Sequence, residues 1–289
     1  MKRDRSRDQV HVWPYLTRVE LLAAIAAMIV LTVWSILVDA PLEAPADPAH
    51  TPAVAKAPWY FVGLQELLVY FEPWIAGVML PLLIIAGLCL LPYLDPNPKG
   101  SGYYTFSQRW FAVGTFVFAF VFLWIGPILV GTFLRGPGWY WFWPWEVWDP
   151  HMVSPQPNRD LNEWVALWPA SLGWEPGGAF AGAWRAFFSR SGVGLALGLG
   201  ALGLFYGLGL RYFAHLVAVQ GRITQWLWRR DLGLADFSPA AFRAALGRRR
   251  YYVVGFFYVT MIGLVIKIGL HLIFHVQYIV RLPWINANI

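Results

Sequence analysis

Five apolar runs, each near the length of a bilayer crossing, constrain this chain more than any other feature. A helix rising ~1.5 Å per residue needs about 20 apolar residues to cross ~30 Å of hydrocarbon. The runs Val19–Val38, Trp74–Leu94, Trp110–Phe133, Gly192–Val219 and Tyr251–Tyr278 meet that requirement. A soluble core in a 289-residue chain needs no such runs. Only 13% of the residues are charged, against the roughly 25% usual in soluble domains. The expected fold class is an all-α integral membrane protein with five transmembrane helices.

Charge placement gives the expected orientation. With five crossings, fifteen Lys and Arg fall on the N-terminal side and six on the other, with Lys267 inside a run. The positive-inside rule then puts the N-terminus in the cytoplasm and the C-terminus outside. The net charge of +6 thus reads as membrane topology, and no nucleic-acid partner is expected. The charged stretch Met1–Arg18 looks like the start of a signal peptide. The run after it is too long for a signal core and leads into proline-rich sequence, so it reads as a retained helix.

The connections differ in character. Residues 39–73 form a long outer loop rich in proline and acidic residues, with Tyr60–Phe71 expected as an amphipathic helix in the interface plane. Residues 135–190 make a large Trp-rich outer loop, and 220–250 a basic cytoplasmic one. In the latter, Ser238-Pro239 reads as a helix start and Gly247 as its stop. Three regions follow: 1–134, 135–191 and 192–289. The single cysteine, Cys89, excludes an internal disulfide, a Cys-based metal or iron–sulfur site held by this chain alone, and a Cys-x-x-Cys-His haem attachment. It reads as a buried, inert thiol, and no metal ligands are expected.

The outer loop runs Asp39-Ala-Pro-Leu-Glu-Ala-Pro-Ala-Asp-Pro48, Thr51-Pro52 and Ala57-Pro58-Trp59-Tyr60-Phe61, then an amphipathic stretch and a second span. Over about residues 14–134 this order resembles the C-terminal part of cytochrome b, or subunit IV, of cytochrome bc and bf complexes. The resemblance implies an interfacial helix that walls a quinol oxidation pocket, with Pro58, Trp59, Tyr60 and Phe61 binding quinol. It also implies that haem b sits in a partner subunit resembling the N-terminal half of cytochrome b. A Rieske iron–sulfur protein, a c-type cytochrome and the bacterial cytoplasmic membrane complete the expected setting.

One departure matters. The family carries Pro-Glu before Trp-Tyr, whereas this chain has Ala57-Pro58, so no residue inherits the glutamate's role of taking a proton from quinol. Glu66 lies seven residues beyond Trp59, two helical turns on and on the same nominal face. Carboxylates at membrane depth are costly and mark function, so Glu66 is the candidate proton acceptor, with Glu72 and His50 behind it. The plainer reading puts Glu66 on a solvated face, and Trp59 and Tyr60 among ordinary interface aromatics.

Other features stay open. Trp139, Trp141, Trp143, Trp145 and Trp148 suit an extended interfacial anchor, or a docking surface for a basic cytochrome c aided by Glu146 and Asp149. Gly194-x-x-x-Gly198 and Gly203-x-x-x-Gly207 suit close approach of a helix or a flat cofactor. Lys267, His271 and His275 are spaced four apart, forming a satisfied polar stripe or, through His271 or His275, a haem contact. Three functions compete: a quinol-oxidising subunit of a bc-type quinol–cytochrome c oxidoreductase, a structural or assembly subunit, and a transporter built on the Lys267 stripe. The last lacks the internal repeats and broken helices common in transporters.

Overall fold

A computed structural model describes residues 12–39, 45, 48–49, 55–95, 106–148, 158–173, 178–228, 238–282 and 288–289. His50 and Asp149 lie outside these residues. Two compact units, Met1–Pro52 and Ala53–Ile289, make up the chain. All described elements are helical; extended pairing is limited to isolated bridges, Arg135 with Trp141 and Arg159 with Val276.

The first unit is dominated by α1 (Thr17–Leu37), apolar on every face and with no buried residue. Such a surface suits hydrocarbon, not water. Its hydroxyls are satisfied inside the helix: Thr32 Oγ1 donates to Met28 O and Ser35 Oγ to Thr32 O. Internal satisfaction is what a lipid-facing helix requires.

The second unit holds four more helical segments long and apolar enough to cross a membrane: Trp74–Leu94, Arg109–Leu134, Ser191–Arg211 and Arg248–Phe274. With Val12–Leu37 they make five among the described residues, as expected, and the protein is a multi-pass membrane protein. Proline shapes two of them. Pro81 and Pro127 lack the N–H that an i→i−4 bond needs, and wide i→i+5 turns, Trp74–Met79 and Ala119–Ile125, precede them. The second span thus consists of Trp74–Met79 and α3 (Leu80–Leu94), on which Cys89 is exposed and not buried, because most of this span faces outward. The third is α4 (Phe106–Phe118), the wide turn, α5 (Gly126–Leu129) and a final wide turn Val130–Leu134.

α2 (Trp59–Tyr70) starts after Pro58 and buries Val62, Gly63, Glu66, Leu67 and Tyr70. Two glycines allow that face to lie close to the end of the third span. A Cβ on Gly131 would stand 2.5 Å from Val62 Cγ1 and 3.3 Å from Val62 O, and one on Gly63 would stand 3.0 Å from Ile128 Cγ1. Gly131→Val is therefore expected to force α2 away, at about 1–3 kcal/mol, with Gly131→Ala milder. Thermal unfolding of the purified chain measures this, and an unchanged midpoint for the valine variant refutes it.

Two span ends differ from expectation. The fourth span, α8 (Ser191–Arg211), stops where Tyr212 leaves the helix (φ −98°, ψ 11°). The apolar residues after it belong to α9 (Phe213–Trp228) and fill a local core. Phe213, Ala214 and Val217 pack there with Leu246, Tyr251 and Tyr258. The fifth span, α11 (Arg248–Phe274), ends when His275 turns left-handed (φ 54°) and its N–H bonds His271 O. The residues beyond pair with another segment: Gln277 N donates to Arg159 O, and Leu161 N to Tyr278 O. Between α9 and α11, α10 (Pro239–Leu246) begins with Ser238 Oγ accepting from Ala241 N and ends at Gly247 (φ 72°), as the sequence implies.

The large loop contributes α6 (Leu161–Ser171) and α7 (Ala179–Phe188), joined by Trp184 Nε1 donating to Val165 O. Gly194 faces Asn162, and Gly198 lies so tight against Ile279 O and Val280 that a side chain has no room. Gly203 and Gly207 face open space. The first of the two glycine motifs thus packs protein, and the second meets nothing among the described residues.

Candidate site at the buried face of α2

Glu66 is 1% exposed, so it does not sit on a solvated face. Both carboxylate oxygens are engaged. Arg135, 2% exposed, donates Nη2 to Oε1 at 2.7 Å and Nε to Oε2 at 2.9 Å. Tyr70 Oη donates to Oε1 at 2.6 Å, and Trp139 Nε1 to Oε2 at 3.0 Å. This bidentate, charge-assisted geometry is the strong form of an ion pair.

Local sequence explains the assembly. Tyr70 follows Glu66 by four residues and so sits one turn along the same face. Arg135 is the first residue past the third span, and Gly136-Pro137-Gly138 folds back at once. Gly138 (φ 64°) and Trp139 (φ 61°) take left-handed conformations, returning Trp139 O to Arg135 Nη1 at 3.2 Å and its indole to Glu66. Burial, and then the Glu66 carboxylate, push the Tyr70 phenol well above its ordinary pKa, which keeps it a proton donor. For Arg135, burial works against the charge, but Glu66 outweighs it and raises the pKa.

The expected quinol-binding residues lie at the open N-terminal end of α2. Pro58, Trp59, Tyr60 and Phe61 are all exposed, Trp59 at 71%. Their rings form an edge-to-face series, Trp59 to Tyr60 at 5.7 Å and Tyr60 to Phe61 at 5.3 Å, with Tyr60 also against Trp124 at 5.0 Å. Trp59 and Glu66 share a nominal face but not an environment, because packing against the third span covers Glu66 and leaves the first turn open. Lys56, just upstream, donates to Thr132 O and lies over the Trp148 ring.

The Lys267 stripe divides. Lys267 is 3% exposed and donates to Tyr70 O at 3.0 Å, Gln277 O at 2.7 Å and Val276 O at 3.4 Å. His271 is 4% exposed and meets the Tyr70 ring edge-on at 5.2 Å. His275 lies beyond the helix and is exposed, so it is not on that face. Glu72 accepts from Asn288 Nδ2 at 2.9 Å, which ties the C-terminal residues to the end of α2. Among the described residues, no three His, Cys, Asp or Glu side chains converge as a metal site would require.

Sequence reasoning singled out Glu66 but not its hydrogen-bond partners Arg135, Tyr70 and Trp139. The Glu66–Tyr70 spacing was a usable signal. Arg135 is 69 residues from Glu66 and gave none.

No solved structure matches the chain. The family model described as cytochrome b (C-terminal)/b6/petD matches residues 45–132, which include all of α2 and nearly all of the third span. That segment is thus similar to the cytochrome b C-terminal family of bc- and b6f-type complexes.

Proposed function

We propose that the chain is the membrane subunit of a quinol–cytochrome c oxidoreductase that forms the outer quinol oxidation site beside a haem-bearing cytochrome b partner. The observation that carries this reading is the exposed aromatic wall Pro58–Phe61 on a helix inside the matched segment, backed by the buried Glu66–Arg135 pair. A flat quinol head group needs an apolar wall with few, well-placed polar groups. The Rieske protein takes the first electron and a c-type cytochrome receives it, while haem b in the partner carries the other. The N-terminus lies in the cytoplasm of a bacterium, and α2 faces the opposite side.

Oxidising a quinol releases two protons, and in this reading Glu66 accepts one. Its lone pairs are already engaged, so accepting a proton requires Arg135 or Trp139 to release an oxygen. The effect of Glu66→Gln on turnover of the purified complex tests this. General-base roles are worth about 10²–10⁴-fold, so turnover falls by at least about 100-fold while the complex stays assembled. Trp59→Ala raises the quinol KM. Unchanged turnover in both variants removes the site assignment.

The saturation of Glu66 favours a second reading, a structural or assembly subunit in which Glu66–Arg135 clasps α2 to the third span. Here Glu66→Gln lowers the thermal midpoint and the assembled fraction together, and turnover per assembled complex is unaltered.

A further inference from the structure

At the end of the second unit opposite Glu66, α8, α9, α10 and α11 enclose a cleft of about 510 Å³. Arg211, His215, Arg243 and Arg248 line it together with Ala214, Pro239 and Tyr251. Residues 211–250 contain eight arginines and two aspartates, Asp231 and Asp236, the latter outside the described residues with Asp231. Their net charge is thus 8 − 2 = +6. The ion pairs among the described residues, Arg109–Asp95, Arg135–Glu66 and Arg281–Asp160, take up none of the cleft's cations. Aromatic rings hold two of the guanidinium groups in place. Arg243 lies 5.3 Å from the Tyr251 ring and donates to Tyr252 Oη at 3.3 Å, and Arg211 lies 5.8 Å from the Tyr212 ring.

Position decides what such a cleft recognises. The apolar helix α8 ends at Arg211 and α11 begins at Arg248, so the cleft straddles the boundary between hydrocarbon and water. Its cations meet the aqueous side, and its apolar lining continues into the lipid-facing helices. A ligand suited to both must carry a phosphate and acyl chains. Basic pockets between membrane helices at the cytoplasmic surface bind anionic headgroups in this way.

We propose that this cleft is a binding site for one anionic phospholipid, its phosphate held by Arg211, Arg243 and Arg248. The site lies outside the segment matched to the cytochrome b family and does not depend on the quinol reading.

The test uses the full chain, with whatever co-purifies, reconstituted in phosphatidylcholine vesicles containing phosphatidylglycerol. After re-extraction in mild detergent, native mass spectrometry counts each lipid retained per chain. The wild type is expected to keep phosphatidylglycerol in preference to phosphatidylcholine. The triple variant Arg211→Ala/Arg243→Ala/Arg248→Ala is expected to lose that preference by at least about fivefold. The corresponding triple lysine variant preserves the charge and retains the lipid, which separates lost binding from lost folding. Arg222→Ala, an exposed arginine of α9 outside the cleft, leaves retention unchanged. Equal retention in the alanine and wild-type proteins overturns the site, as does a lysine variant as depleted as the alanine one. Displacement of the lipid by excess inorganic phosphate assigns the cleft to a soluble anion and overturns the lipid claim.

Discussion

Arg135→Leu is expected to destabilise the protein by about 3–5 kcal/mol, the usual cost of leaving a buried charge without its partner. The residue left behind, Glu66, is 1% exposed and keeps only Tyr70 Oη and Trp139 Nε1 as donors. Neither carries a positive charge, so the carboxylate must bind a proton or draw in water. The reciprocal change, Glu66→Leu, strands the Arg135 guanidinium with the Trp139 carbonyl and the Tyr70 hydroxyl. The double variant Glu66→Leu/Arg135→Leu should recover most of the loss, because well-packed apolar residues often replace a buried ion pair at little cost. Thermal unfolding of all four proteins, followed by tryptophan fluorescence, completes the cycle. Additive losses in the double variant would show that the two charges do not depend on each other.

The second large effect is expected at Lys267, whose ammonium joins three carbonyls: Tyr70 at the end of α2, and Val276 and Gln277 past the end of α11. Lys267→Met removes the shared donor, and each buried carbonyl left unpaired costs about 1–3 kcal/mol. Relief from burying an ammonium offsets part of that loss. Lys267→Glu sets a buried carboxylate against the same three acceptors with nothing gained in return, at several kcal/mol. The ordered series wild type, methionine, glutamate should appear in thermal stability. It should also appear as faster amide exchange at Tyr70–Phe71 and Val276–Gln277. If methionine and glutamate behave alike, the three carbonyls do not depend on a cation.

What was legible in the sequence follows from how each feature is encoded. The membrane crossings are written in consecutive residues, so hydropathy alone places them. Their ends are not always written so. Apolar residues run on past Tyr212 and past Phe274, and what stops the helices is the local core around Phe213 and the pairing of Val276 with Arg159. Glu66 stood out because a carboxylate is rare in so apolar a helix. Its surroundings did not, since Arg135 and Trp139 come from a loop whose tryptophans alternate as an exposed anchor would. Trp143 and Trp145 do stack at the surface, 5.3 Å apart, but Trp139 is turned inward by the left-handed backbone at Gly138. The helical spacing of Lys267, His271 and His275 promised a continuous stripe. It failed at its last member because the helix closes one residue before it.

The fastening of α2 also bears on how the protein is made. The helix leaves the ribosome early, yet Lys267 lies 197 residues after Tyr70, and Asn288 lies 216 after Glu72. At ~5–20 residues per second, those partners arrive roughly 10–40 s later. Through that interval a nascent chain holds α2 by its packing on the third span and the Arg135 clasp, with the carbonyl end of the helix unfinished. The carbonyl end of α2 therefore gains its last partners only once α11 and the residues after it have been made.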